Sequence, residues 1–566
     1  MTQRPSYKHI PFILLILAQL TFGLLTFRDY GLSWDEPLFY DYGEALGYAY
    51  TPANWFRADF DLNNAYGPSG DDHKTRGPAY LLLAREPVYL LKALGVDEAS
   101  AWHLVNFLTF LLGVYFIYRL SLRWMGRQAW AAFGAAALFS MQPLLLGHAF
   151  INPKDIPFMA FFAGALLFGF EMVDKLTTRN QNSSFIFHLS SLLPAAFFLG
   201  IATSIRVLAP LAGILVVIYA IIRHYSSRTS QSTISTRSFI FHLSSFILLS
   251  ILIMLASWPY LWESPLKNFF QVFLFMSENP TGLQVLFNGE VYRAYELPRR
   301  YLPTLLAITL TEPVWLLFIL GLGVTCWKTI ISIRDRWFTK TKIEHQLPIT
   351  NYQLLTTDIV PLWDYWLLLT AFLIPFIYVI LRRPPMYDGF RHFLFILPPL
   401  FVTCGLGLDV VFGWLKNRMS RNQWIYWLHA IIIFTLILPG VFSAAQLHPY
   451  EYAYYNSLVG GTGGAFRAYE TDYWLTCYKD AVEQLNSLAP RPANLFVHRE
   501  AYIAAGYAAG GITVRDERGN LSAIQSGDYI LVNTRTNEDR KTFHNAPVVL
   551  EIGRGGATFC VVKQIP

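Results

Sequence analysis

Along the chain, apolar residues gather in long runs rather than alternating with polar ones. The runs reach the roughly 17–25 residues that a helix needs to cross a bilayer. Eleven spans are expected, at 10–27, 101–120, 129–147, 155–173, 192–205, 207–222, 239–257, 307–327, 362–381, 391–414 and 425–444. The fifth and sixth are the hardest to separate, because Leu192 to Ile222 is too long for one straight span and short for two. Arg206 falls at the middle of that stretch, which suits an outer turn better than mid-bilayer. The expected fold class is a polytopic α-helical membrane protein.

Loop charge supplies the orientation. With the N-terminus cytoplasmic, Arg123/Arg127, Lys175/Arg179, Arg223/Arg228/Arg237, Lys328 with Arg334, Arg336, Lys340 and Lys342, and Lys416/Arg418/Arg421 all fall inside. Merging the fifth and sixth spans would invert every later loop and break that rule repeatedly, so two spans are favoured. Three outer segments then stand out. Residues 28–100 hold Asp59/Asp61, Asp71/Asp72/His73 and an amphipathic helix over Ala79–Leu94. Residues 258–306 carry Trp258-Pro-Tyr and the basic Arg293, Arg299 and Arg300.

Residues 446–566 are polar and numerous enough to bury a core of their own. A helical stretch, Asp472–Leu488, is followed by strand-like runs at Leu495–His498, Tyr529–Asn533, Val548–Ile552 and Thr558–Lys563. This predicts a small extracytoplasmic α/β domain behind a transmembrane domain of residues 1–445.

Composition changes the picture in one respect. A length of 566 residues would suggest several soluble domains, but 54% of residues are hydrophobic and only 14% charged, against about 25% charged in soluble proteins. The net charge of +6 lies in short loops, a topology signal that implies no nucleic-acid partner. The basic stretch Met1 to His9 is followed by no small-residue cleavage site, so Pro11–Phe27 is read as a retained anchor. Ser-Phe-Ile-Phe-His-Leu-Ser-Ser occurs at 184–191 and again at 238–245; a local duplication explains it, and His188 and His242 are set aside. Cys326 and Cys404 lie in apolar runs as small hydrophobes. Cys477 and Cys560 are free to pair if the C-terminal domain lies outside the cytoplasm. No Cys/His spacing reads as a zinc site.

Candidate chemistry begins at Gly31-Leu-Ser-Trp-Asp-Glu-Pro-Leu-Phe-Tyr-Asp-Tyr-Gly-Glu44, just after the first span. Asp35 and Glu36 sit at the membrane boundary, where ionisation costs little and a lipid-held reactant is in reach. The ordinary reading is a helix N-cap by Asp35 or Ser33. Asn152-Pro-Lys-Asp-Ile-Pro157 is a tight outer turn whose Lys154 runs against the positive-inside trend and wants an anion: a phosphate, Asp155 or Glu36. Asp155 followed by Pro157 also reads simply as a helix start.

Arg382-Arg-Pro-Pro-Met-Tyr-Asp-Gly-Phe-Arg-His392 places Arg382, Arg383 and Arg391 on one short outer loop, beside Asp388 and His392. Guanidinium forks suit phosphate oxygens, and snorkelling to lipid headgroups is the rival explanation. The stretch from His448-Pro-Tyr to Gly460-Gly-Thr-Gly-Gly464 matches neither a P-loop nor a dinucleotide fingerprint and reads as a turn under an aromatic belt. There is no Walker motif and no nucleophile elbow, and charges cluster at the ends of spans rather than midway, against an ion relay.

An Asp-Glu pair after the first span resembles the signature of the type C glycosyltransferases. The nearest branch holds the protein O-mannosyltransferases and the lipid A aminoarabinose transferase (glycosyltransferase family 39-like). Asn152–Pro157, Asp388-Gly-Phe-Arg-His-Phe-Leu-Phe-Ile-Leu-Pro-Pro399, and His448-Pro-Tyr through Asp472-Tyr-Trp474 are similar to bacterial members. The resemblance implies an inverting transferase of the bacterial inner membrane that uses a polyprenyl-phosphate sugar on the outer side. Asp35 matches the family's catalytic acidic position, with Glu36 beside it.

In this reading Asp35 is the base, Lys154, Arg382, Arg383 and Arg391 hold the donor phosphate, and Asp155, Asp388 and His392 support them. Metal use varies in such families; no strong site is seen, and Glu36 with His148 or His392 is the set conceivable for a divalent ion. The 258–306 loop is too short for the β-trefoil insertion of eukaryotic protein mannosyltransferases. The acceptor is therefore open among glycan, lipid and protein. Two rivals from other classes are a lipid or polysaccharide transporter and a structural subunit of an envelope-assembly complex with the C-terminal domain as docking module.

Overall fold

The computed structural model describes residues 7–68, 70–125, 129–177, 185–227, 235–278, 281–342, 360–419 and 424–566. Among them, seven helices are long and apolar enough to cross a membrane. A bent pair, Ala129–Ser140 with Pro143–Ile151 at 64°, makes an eighth if taken as one broken span. The other expected spans coincide with the shorter apolar helices Ile10–Thr26, Leu189–Ile205 and Pro210–Tyr225. Arg206 sits in the turn between the last two, so the long apolar stretch is indeed two helices. The basic residues at 127, 179, 228 and 421, and the start of the first repeat copy at 184, lie outside the described residues.

Burial sorts the helices. The apolar window of Asp155–Thr177 is 89% buried and that of Arg391–Arg418 78%, so these form the middle of the bundle. Thr236–Ala256, Glu312–Arg334 and Trp424–Leu447 are only 22% buried. They turn Leu316, Ile319, Trp427 and Phe442 outward, a surface that lipid rather than water solvates.

Two expected spans are interrupted, and one contact links the breaks. Residues 129–147 break before Pro143, which opens the second helix of the bent pair. Residues 307–327 divide into Tyr301–Thr309 and a helix from Glu312 to Lys342 that carries Pro313 in its first turn. Proline lacks the N–H that would continue a helix and suits a first turn. At the junction Gln142 Nε2 donates to Thr311 Oγ1 at 2.9 Å and Gln142 Oε1 accepts the Thr311 N–H at 3.0 Å. The freed polar groups of both breaks thereby satisfy each other.

The outer segment 258–306 folds into a helix, Pro265–Glu278, and a hairpin of β1 (Gln284–Phe287) and β2 (Glu290–Arg293), neither expected from sequence. The C-terminal domain is a five-stranded sheet in the order β4-β3-β5-β7-β6. Its strands are β3 (Ala493–Val497), β4 (Ile512–Asp516), β5 (Tyr529–Asn533), β6 (Val548–Arg554) and β7 (Ala557–Gln564). The pairs β3–β4 and β3–β5 are parallel, whereas β5–β7 and β6–β7 are antiparallel.

A helix from Cys477 to Leu488 packs against this sheet. It starts later than expected because Leu475 is left-handed, with φ 64°, and Asp472 caps the new start. The Asp472 carboxylate accepts the N–H groups of Cys477 and Thr476 at 3.0 and 3.2 Å. Cys477 and Cys560 are disulfide-bonded, with Cα atoms 6.2 Å apart, tying this helix to β7.

The domain does not stand apart from the bundle. Lys479 Nζ donates to the carbonyls of Arg28 and Asp29 at 2.6 and 3.1 Å, and the Leu32 N–H donates to Tyr507 Oη at 2.8 Å. The Trp34 N–H reaches the Trp474 carbonyl at 3.2 Å, and Tyr502 Oη donates to the Trp34 carbonyl at 2.5 Å. Gly31 faces the Thr476 carbonyl so closely that a Cβ would collide with it. The segment leading to Asp35 is thus clasped by the C-terminal domain.

Candidate active site

Asp35 occupies the N-cap position of the helix Glu36–Ala45, yet its side chain makes no cap hydrogen bond. The turn entering the helix is closed instead by Glu36, whose Oε2 accepts the Ser33 N–H at 2.6 Å. Glu36 is fully buried: Tyr40 Oη donates to its Oε1 at 2.5 Å and His103 Nε2 lies 3.0 Å away. The two adjacent acids therefore differ in situation. Glu36 locks the turn, and Asp35 is released from local duty.

Asp35 points at Arg391, whose Nη1 donates to Asp35 Oδ2 at 2.8 Å. Arg391 is the centre of the site. Its Nη2 pairs with Asp388 at 3.0 Å, its Nη1 lies 3.6 Å from Asp155, and its guanidinium stacks 4.3 Å from the Trp474 ring centroid. Asp155 also pairs with Arg206 and accepts from Asn152 Nδ2 at 3.0 Å. Asn152 shapes the turn as well: its Oδ1 accepts the N–H groups of Lys154 and Asp155 at 3.2 and 2.8 Å. The expected turn is present, with a reason for each of its polar residues.

Electrostatics follow from this packing. Burial opposes ionisation of Asp35, but the guanidiniums of Arg391 and Arg76 outweigh it and hold the carboxyl below its ordinary range. Lys154 lies half-buried over the Phe39 ring, its Nζ 5.5 Å from the centroid, with Arg76 at 6.0 Å from the same ring. Burial, with Arg206 and Arg76 adding to it, pushes its ammonium well below the usual lysine range. Cations crowded in this way are stabilised by an anionic ligand, which restores their charge and is itself held. Burial raises the Asp388 carboxyl, against the pull of Arg535 and Arg391.

Two of the arginines expected at the donor phosphate lie elsewhere. Arg382 and Arg383 are exposed at the end of the helix Val360–Arg382. Arg383 spends its fork on the carbonyls of Leu297 and Glu296, at 3.2 and 3.1 Å. Neither is joined to the Asp35–Arg391 cluster. His392 stays beside the cluster: it packs edge-on against Tyr387, ring centroids 4.9 Å apart, and is close enough to Asp155 and Arg391 to interact electrostatically with both. His148 bonds to Tyr473 Oη at 2.9 Å and lies 3.2 Å from Asn152 Nδ2, away from the partners of Glu36. Among the described residues, no group of three or more His, Cys, Asp or Glu side chains is arranged to hold a metal ion.

Several members of the cluster had no signal in the sequence. Arg535 and Glu470, from the C-terminal domain, extend the charge chain: Arg535 Nη2 meets Asp388 Oδ1 at 2.5 Å and its Nε donates to Glu470 at 2.9 Å. The result is an alternating buried series, Asp35, Arg391, Asp388, Arg535, Glu470. Behind Arg391, a cavity of about 20 Å³ lined by His148, Thr309, Tyr452 and Tyr473 has room for a water molecule.

No protein-family model matches the chain, and no curated protein matches it. Solved structures similar in overall shape include ArnT from Cupriavidus metallidurans in the apo state, at 14% identity over 97% of each chain and a TM-score of 0.47. ArnT from the same organism bound to undecaprenyl phosphate aligns at 13% identity over 97% of this chain and 98% of that one, TM-score 0.46. An oligosaccharyltransferase from Archaeoglobus fulgidus, tethered with an acceptor peptide, aligns at 11% identity over 95% of this chain and 70% of that one, TM-score 0.49.

Proposed function

We propose that the chain is an inverting membrane glycosyltransferase that moves a sugar from a polyprenyl-phosphate donor to an acceptor hydroxyl on the outer side of the membrane. The observation that carries this reading is the Asp35–Arg391 pair: an ionised carboxylate, free of capping duty, beside a phosphate-suited guanidinium and the cation-crowded Lys154. The disulfide in the domain that clasps residues 28–34 supports an extracytoplasmic side, since such bonds persist in oxidising compartments.

The chemistry balances on these residues. Asp35 takes the proton of the acceptor hydroxyl as its oxygen attacks the anomeric carbon. The bond from that carbon to the phosphate oxygen breaks, and the lipid phosphate leaves with the electron pair. A phosphate leaving group needs no proton, only cations, and Arg391 and Lys154 supply them. Asp155, held by Arg206 and Asn152, fixes the near side of Arg391.

The test is transfer from a panel of radiolabelled polyprenyl-phosphate sugars in proteoliposomes, wild type against Asp35→Asn. Turnover by wild type, lost in an equally folded variant, is the expected result. Full activity in the variant would move the base elsewhere, and donor binding without turnover would favour a transporter.

A further inference from the structure

We propose that Arg535, supplied by the C-terminal domain, is a positioning residue that keeps Arg391 aimed at Asp35. The proposal rests on the reading of Asp35 as the base. Arg535 follows β5 in a loop tied at both sides. Its N–H donates to Asn533 Oδ1 at 2.6 Å, and Thr534 Oγ1 donates to the Thr558 carbonyl at 2.7 Å. The side chain is buried, 3% exposed, and touches both halves of the site. On one side it pairs with Asp388 at 2.5 Å, and on the other its guanidinium lies 5.7 Å from the ring of Trp34, the neighbour of Asp35.

Asp388 has one guanidinium on each oxygen: Arg535 on Oδ1 and Arg391 on Oδ2. Arg391 is itself divided among Asp388, Asp35 and Asp155. While Arg535 answers half of the Asp388 charge, Arg391 can keep an Nη on Asp35. Without it, the whole charge of a buried carboxylate falls on Arg391 and draws it away from Asp35. Asp35 then loses its nearest cation and holds a proton to higher pH.

The remaining charged groups do not replace Arg535. Asp35 is also faced by Arg76, Lys154 and Asp155, and by the phenols of Tyr387 and Tyr502. Arg535 is faced by Glu470 and Arg391, and by Arg499, which repels it. No other cation is paired with Asp388 among the described residues.

The experiment uses the full chain in proteoliposomes with a donor that wild type turns over, and reads kcat and donor KM against pH. Arg535→Gln is expected to lower kcat on its pH-independent plateau by on the order of tenfold, because Arg391 is drawn from its place beside Asp35, with donor KM within about twofold. The acid limb of kcat should move up by about one pH unit. Adding Asp388→Asn should move that limb back toward wild type. The Asp35 carboxyl titration, read by infrared difference against Asp35→Asn, needs no turnover and should shift in the same direction.

An unmoved limb and titration, with activity falling only as the folded fraction falls, would overturn the proposal and leave Arg535 a structural ion pair. If Arg535→Gln does not fold, Arg535→Lys keeps the charge without the fork. It should show a smaller shift of the same sign, and no shift would overturn the proposal equally. Asp35→Asn separates the two readings. An active Asp35→Asn enzyme would sink the base itself, whereas an inert one beside an unmoved Arg535→Gln limb would sink only the positioning role.

Discussion

The backbone N–H of Trp34 donates to the carbonyl of Trp474 at 3.2 Å, joining the residue before Asp35 to the C-terminal domain. The Trp474 ring, in turn, is the surface on which Arg391 stacks. One tryptophan therefore touches both members of the Asp35–Arg391 pair, one through the backbone of a neighbour and the other through a cation–π contact. The C-terminal domain, a docking module in one rival reading of the sequence, forms a wall of the candidate site.

That contact depends on Gly31. A Cβ there collides with the Thr476 carbonyl, which belongs to backbone and cannot swing aside. Gly31→Ala should loosen the clasp while leaving both halves folded. Amide exchange should rise over residues 28–36 and 472–480, and transfer activity should fall by about tenfold or more. Unchanged exchange in both segments would show that the close approach is not required.

Arg391 is the partner of three buried carboxylates, so its loss should be felt in folding as well as activity. Arg391→Ala takes the nearest cation from Asp35, leaves Asp155 and Asp388 to Arg206 and Arg535, and should cost about 3–5 kcal/mol. Arg391→Lys keeps one charge but not the fork that reaches Asp35 and Asp388 together. It should be more stable than the alanine variant yet lose about a hundredfold in kcat. Thermal unfolding in detergent and turnover, measured on both, check the separation.

Glu470 gives a pH signature of the opposite sense to Asp35. Burial pushes its carboxyl up to about 7 from 4.5, even with Arg535 beside it. In the folded state it binds its proton more tightly than when unfolded, so between about pH 4.5 and 7 stability falls as pH rises. Glu470→Gln removes that group, and its stability should decline less across the same window. Melting temperatures of both proteins at pH 5 and pH 8 decide it; parallel declines would rule out Glu470 as the source.

The disulfide closes a loop with a sequence separation of 83 residues. In the chain-entropy picture, a loop of that size is worth about 4.5 kcal/mol to the domain. Cys477→Ser and Cys560→Ser should each lower its unfolding midpoint, and the double variant should be no worse than either single. Additive losses would mean that the two cysteines act separately.

How far the sequence could be read depends on the range of each interaction. Apolar run length located the helices, because a bilayer imposes it locally. The Asn152 turn was legible for the same reason, since its hydrogen bonds stay within a few residues. Asp35 and Glu36 were legible as a pair but not as distinct. The division between them is made by Ser33, Tyr40 and His103 on one acid and Arg391 on the other. Gln142–Thr311 and Asp388–Arg535 are contacts between distant segments, and no local pattern announces them. Arg382 and Arg383 share a loop with Arg391, yet a left-handed turn at Arg383 sends that side chain to a neighbouring loop.

The clasp also orders the making of the protein. Translation delivers Asp35 first and Arg535 after nearly all of the helices, so the first acid of the cluster must wait for its last arginine. A chain stalled before residue 474 carries Asp35 but neither Trp474 nor Arg535 to frame it. The surroundings of Asp35 are therefore complete only once the C-terminal domain has been made and docked.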